Sequence, residues 1–118
     1  MSAKDDARPD EIELSPVARL NDQFRTTGTD GMLVATAGVI HLAQGALTAI
    51  VAELRAFDAF TPDNDPYGER DFGSLTWQGT KLFWKIDCYD RNMQMGSPDP
   101  ADPSVTLRVL TIMLASEY

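Results

Sequence analysis

Along this chain the spacing of hydrophobic residues changes from helical to alternating and back, and each change marks an element. Val17, Leu20 and Phe24 recur at three- and four-residue spacing behind Ser15 and Pro16, an N-cap followed by proline in the first turn, which predicts a short amphipathic helix through about Thr27. A turn over Gly28–Gly31 follows, and Met32, Leu33, Val34 and Ala35 read as a buried strand running toward Gly38 and on to Ile40. From about Ala43 to Asp58 the positions Leu47, Ile50, Val51, Leu54 and Phe57 return to helical period, with Glu53 and Arg55 on other faces, so this is the expected main core helix. Leu75 and Trp77, then Leu82, Trp84 and Ile86, alternate with polar neighbours around a Gln-Gly-Thr turn. This predicts a β-hairpin with those five residues on one face, and the two tryptophans as anchors of the core. After a polar loop over residues 90–103, Asp102 and Pro103 again have the form of an N-cap and first-turn proline. Thr106, Val109, Leu110, Met113 and Leu114 then give a helical stripe, although Val105, Leu107 and Val109 also alternate like a strand; a terminal helix is expected.

The order α-β-α-β-β-α describes a small α+β domain, residues 14–118, with a short and mainly antiparallel sheet packed against helices. Residues 1–13, dense in charge and poor in apolar side chains, are expected to form a disordered arm. A chain of 118 residues fits one domain able to bury a core without disulfide or metal staples. No apolar run approaches the roughly 20 residues of a membrane span, and the first residues lack the apolar core of a secretory signal, so no membrane partner and a cytoplasmic location are expected. The single Cys88 suits that compartment and lies where a small buried hydrophobe is the ordinary use.

The formal charge of −8 is shared between the arm, with two bases and five acids, and the rest of the chain, with eight bases and thirteen acids. The absence of clustered Lys and Arg argues against direct nucleic-acid binding by phosphate neutralisation and is compatible with docking onto a basic protein. The acids concentrate between Phe57 and Gly73, where FDAFTPDNDPYGERDFG holds Asp58, Asp63, Asp65, Glu69 and Asp71 against the lone base Arg70. Asp63, Asp65 and Gly68 occupy the first, third and sixth places of a calcium loop, but Tyr67 and Ser74 hold the fifth and twelfth, so no metal is expected and the aspartates are read as caps on local backbone donors. Hairpin registry can bring Asp71 beside Asp87, and Lys85, Asp87 and Tyr89 share one strand face, a polar patch of the kind an interface or an active site uses. His41, beside Ile40 and Leu42, is expected to cap or pack, and Met93 and Met95 to tuck under their loop. No phosphate loop, nucleophile elbow or zinc spacing is present.

The segments NDPYGERDFG, FWKIDCYD and TIMLASEY resemble the small bacterial domain-of-unknown-function family 3768, from the ARLNDQFR helix to the C-terminus. That resemblance implies a mobile-element setting but no activity, cofactor or catalytic residue. Where the family's pattern leads one to expect NDPHGEHDFG and KIDYYD, this chain has Tyr67, Arg70 and Cys88, which weakens any His-Asp site.

These readings favour a non-enzymatic interaction module without cofactor, using Asp63, Asp65, Tyr67, Glu69, Arg70, Asp71, Lys85, Asp87 and Tyr89 as its surface toward an unidentified basic or nucleic-acid-binding protein. In its sharper form the module is an antagonist of a host defence or DNA-binding protein that mimics nucleic-acid charge. Two alternatives remain: a small hydrolase or transferase using Asp71, Asp87 and Lys85 with Tyr89 orienting substrate, and a structural subunit pairing through its sheet edges. The sequence leaves the oligomeric state open.

Overall fold

A computed structural model describes residues 14–118, so the expected arm over residues 1–13 lies outside the described residues. The fold is α+β: helices α1 (Pro16–Thr27), α2 (Ala37–Ala43) and α3 (Leu47–Ala56) pack on a four-stranded mixed sheet of β1 (Gly31–Ala35), β2 (Phe72–Trp77), β3 (Thr80–Tyr89) and β4 (Leu107–Leu114). Strand order is β1-β4-β3-β2, with β1 parallel to β4 and the other two pairings antiparallel. No single described helix is long and apolar enough to cross a membrane.

Helix α1 begins as its sequence predicts. Ser15 accepts a hydrogen bond from the Ala18 N–H, Pro16 sits in the first turn, and Gly28, in the left-handed region at φ 77°, ends the helix by donating to Phe24 O. The hairpin also follows its alternation. Trp77 pairs with Thr80, so Gln78 and Gly79 form a two-residue loop, both at positive φ (48° and 84°), as the twist of a tight hairpin requires. Leu75 faces Leu82 and Gly73 faces Trp84, which keeps Leu75, Trp77, Leu82, Trp84 and Ile86 on one side of the sheet.

Three expectations are corrected. The first strand is not buried: β1 lies at the edge of the sheet, and Met32, Leu33 and Val34 are exposed. The first strand does not run on to Gly38 or Ile40: it ends at Ala35, where the Thr36 side chain accepts from the Val39 N–H and starts α2, so the element order is α-β-α-α-β-β-β. The terminal segment is strand β4, not a helix. Asp102 does cap, accepting from Ser104 N at 2.9 Å, but what it caps is a single 3-10 turn, Pro103–Val105. From Leu107 the chain lies in the middle of the sheet, bonded to β1 on one side and β3 on the other. A strand buried in this way loses its polar alternation, and an unbroken apolar run satisfies helical and extended periods alike. Val109, Thr111 and Ile112, β-branched residues that fit a pleated surface, are the residues that favour the strand.

The core lies between the helices and one face of the sheet, where Phe24, Val39, Ile50 and Leu54 meet Leu82, Trp84, Ile86, Leu110 and Ile112. Trp84 is fully buried, and Phe57 and Phe60 stand edge-on to it with ring centroids 5.5 and 6.1 Å away; Trp77 is only partly buried. Room for the Trp84 ring exists because Gly73 has no side chain: a Cβ there would lie 2.6–2.7 Å from the indole. Gly73→Ala is therefore expected to destabilise the fold by about 1–3 kcal/mol through overpacking, seen as a lower urea midpoint with an unchanged slope.

Candidate functional site

The acidic loop between α3 and β2 is tied at both ends to the polar side of α1. Asn21 donates from Nδ2 to Glu69 O at 2.9 Å, and Asp22 accepts from Arg70 Nη1 at 2.8 Å with one oxygen and from Arg25 Nη1 at 2.8 Å with the other. Arg25, buried, reaches past this pair to donate to Phe57 O at 2.8 Å. Both guanidinium groups lie against the Phe60 ring, 5.2 Å for Arg25 and 4.9 Å for Arg70, so the aromatic face supplies further stabilisation of charge taken out of water. Within the loop Asn64 accepts from Thr61 N and donates to Ala59 O, closing the first turn. The Asp65 carboxylate accepts from Arg70 N at 3.1 Å, and this holds Arg70 in the left-handed region at φ 55°.

The candidate residues thereby divide into two sets. Asp65 and Arg70 are structural groups, half-buried and hydrogen-bonded within the loop or to α1. Asp63, Tyr67 and Glu69 project from the fixed loop, with Tyr67 89% exposed, an unusual disposition for a large aromatic side chain. Asp65, the second of the two aspartates at calcium-loop spacing, is thus engaged by backbone; among the described residues no three His, Cys, Asp or Glu side chains converge as a metal site requires.

The hairpin brings the remaining candidates to the same end of the sheet. Ile86 N donates to Asp71 O at 2.8 Å, which continues the β2–β3 register and sets Asp71 across from Ile86, whereas Asp87 lies one position further along β3 on the alternate face, so the two carboxylates do not share a face as expected. The Asp71 carboxyl is raised above its ordinary value chiefly by burial, with the nearby Asp65 and Asp87 carboxylates adding to the effect. Lys85 and Asp87 form an ion pair of 2.9 Å on the sheet face turned away from the core, where the hydrogen bond to Asp87 raises the Lys85 ammonium. Tyr89 follows on the same face, and on the other side of Lys85 from it Phe72, Phe83 and Tyr118 form an aromatic group with centroids 5.1–5.4 Å apart. Cys88, on the opposite face, is half-buried, and burial raises its thiol.

Sequence reasoning missed the partners on α1. The apolar stripe of that helix hid a polar one, Asn21, Asp22 and Arg25, whose only signal was an i, i+3 acid-base pair that reads equally well as a solvated face. Two further expectations do not hold: Met93 and Met95 are exposed rather than tucked away, and His41 stands exposed in the last turn of α2 without packing. A cavity of about 170 Å³ lies elsewhere, between α1, the start of β1 and the 3-10 turn, lined by Leu20, Gln23, Phe24, Thr29, Asp30, Pro103 and Arg108.

Two measurements test this architecture. Asp22→Ala leaves the buried Arg25 without its carboxylate and frees Arg70, and is expected to cost on the order of 3 kcal/mol, with Tyr67 and Glu69 amides gaining hydrogen-exchange rate before the core does. For Asp71 the sign follows from its raised folded pKa: the folded state disfavours its charged form, a penalty present at neutral pH and absent below its ordinary value of 3.8. Asp71→Asn is expected to raise the melting temperature at pH 7, with the gain shrinking to nothing as the pH falls below that value.

The comparisons with known proteins bear on the family alone. Among curated proteins and solved structures nothing matches the chain. The family model described as "Protein of unknown function (DUF3768)" matches residues 35–117, from the end of β1 through the acidic loop and hairpin to the last turn, and so leaves α1 outside it. A match over that much of the chain, carrying the acidic loop, the hairpin and β4, places this protein in the DUF3768 family.

Proposed function

We propose that this protein is a non-enzymatic interaction module whose fixed acidic loop and adjoining hairpin face dock onto a basic protein. The observation that supports it most is the division of the loop: Asp65, Arg70 and Asn64 are consumed in holding its shape, while Asp63, Tyr67 and Glu69 are presented to solvent. A loop backbone held in place before contact loses little entropy on binding, and an exposed tyrosine between Asp63 and Glu69 in the loop offers apolar area together with charge complementary to Lys and Arg. The Lys85–Asp87 pair and Tyr89 extend the surface along the outer face of the sheet, with Asp71 at the start of β2 beside the loop. A basic partner of this kind includes nucleic-acid-binding proteins, for which the acidic surface would mimic phosphate charge. A mobile-element-encoded antagonist of a host defence protein acting in the cytoplasm is the form of the reading that fits a net charge of −8.

A second reading has one observation in its favour. The half-buried Asp71, raised in pKa chiefly by burial with Asp65 and Asp87 adding to it, has the character of an acid-base group in a small hydrolase or transferase. Lys85 is engaged by Asp87 rather than aimed at a vacant position, and the cavity lined by Leu20, Phe24 and Arg108 lies away from all three groups.

A tagged pull-down from the source cell's lysate, at low and at roughly physiological salt, separates the readings. The expected outcome is a basic protein captured mainly at low salt. The pair Asp63→Lys and Glu69→Lys is expected to weaken that complex about tenfold or more while leaving the melting temperature unchanged, since neither side chain holds the loop. Binding that survives both reversals, or that ignores salt, would exclude the charge-mimicry form.

A further inference from the structure

Two arginines of this fold are buried, and they are treated differently. Arg25 has the Asp22 carboxylate at 2.8 Å, whereas Arg108, 4% exposed, has no carboxylate within ion-pair distance among the described residues. Its Nε donates to Asn21 Oδ1 at 2.7 Å and its Nη2 to Pro100 O at 2.6 Å, both neutral acceptors. Two of its five N–H donors are thus used, and Nη1 has no acceptor among the described residues. Nη1 is not among the buried unpartnered atoms, so it keeps contact with solvent and is open to a ligand, and a largely buried guanidinium without a carboxylate among the described residues favours an anion there. Arg108 also forms part of the wall of the cavity of about 170 Å³ between α1 and the start of β1.

We propose that this cavity is a binding site for a small monocarboxylate, with Arg108 supplying the charge that recognises it. The free donors at the end of the guanidinium have the forked geometry that a carboxylate accepts with both oxygens. Leu20, Phe24 and Pro103 provide apolar wall for a short hydrocarbon body, and Gln23 and Thr29 provide polar groups at the exposed side. A cavity of about 170 Å³ is large enough for a small acid of the size of butyrate. Asp30 fixes the charge of the ligand. It lines the same cavity, paired to Arg91 at 3.5 Å, and its carboxylate disfavours a phosphate dianion more than a singly charged acid. The site is separate from the acidic loop and does not depend on how that loop is used.

The test is a nuclear magnetic resonance titration of the full chain with butyrate, and separately with inorganic phosphate, at constant ionic strength. Expected are saturable shifts at the Thr29, Asp30 and Gly31 amides and at the Arg108 side-chain N–H, with a dissociation constant on the order of 1 mM. Thr29→Glu places a second negative charge at the exposed rim without touching the core, and is expected to weaken butyrate at least about tenfold with the melting temperature unchanged. Arg108→Gln is expected to abolish the shifts; because Arg108 is buried and that variant can fail to fold, the Thr29→Glu comparison stands without it. The proposal is overturned if butyrate gives no saturable shift, if phosphate binds as well or better, or if Thr29→Glu leaves the affinity where it was.

Discussion

Asp22 holds two guanidinium groups at once, and the position of the acidic loop depends on it. One oxygen takes Arg25 from the same helix and the other takes Arg70 from the far side of the loop, each at 2.8 Å. Charges removed from water gain little net stability from their pairing, since the desolvation of each partner offsets most of the attraction. What the pairing does is select a geometry. Asp22 meets the Arg25 charge from within α1, and the loop completes its surroundings with the Phe57 carbonyl and the Phe60 ring while Arg70 takes the other Asp22 oxygen, so the hydrophobic layer and the loop share one set of contacts.

The same constraint explains why a loop so rich in acids has a defined shape. Five carboxylates crowded into one connection repel each other, and left to itself such a segment would extend. Here the repulsion is countered locally: Asp65 accepts from backbone, Asn64 closes a turn, and the carbonyls of Phe57 and Glu69 at the two ends are each bound by a side chain of α1. The carboxylates with no such duty, Asp63 and Glu69, face water. Rigidity of the base and exposure of the acids are therefore consequences of one arrangement. That coincidence is what lends the surface to recognition rather than to mere solubility.

Elements whose signal is local were legible in the sequence. The Ser15-Pro16 start of α1, the alternation through Leu82, Trp84 and Ile86, and the Gln78-Gly79 turn each depend on residues a few positions apart. Where tertiary context decides, the sequence was silent or misleading. The β4 segment carries both periods, and the bonds that make it a strand come from Gly31–Ala35 and from Leu82–Tyr89, far away in the chain. The short α2 was hidden because Thr36 can continue a strand as readily as it can cap a helix. Of the candidate surface, the acids were visible by composition, but the separation of structural Asp65 and Arg70 from the presented Asp63, Tyr67 and Glu69 required knowing that Asp22 and Asn21 lie across from them.

The family match begins at Ala35, after the helix that carries Asn21, Asp22 and Arg25. In this protein the matched segment is therefore not self-sufficient: its loop is fixed by side chains that precede it. Arg70 stands where the family's pattern leads one to expect a histidine, and a histidine at that place could reach Asp22 only as a shorter and, at neutral pH, mostly uncharged group. A permanent cation lets this chain hold Asp22 with one long side chain that also covers Phe60.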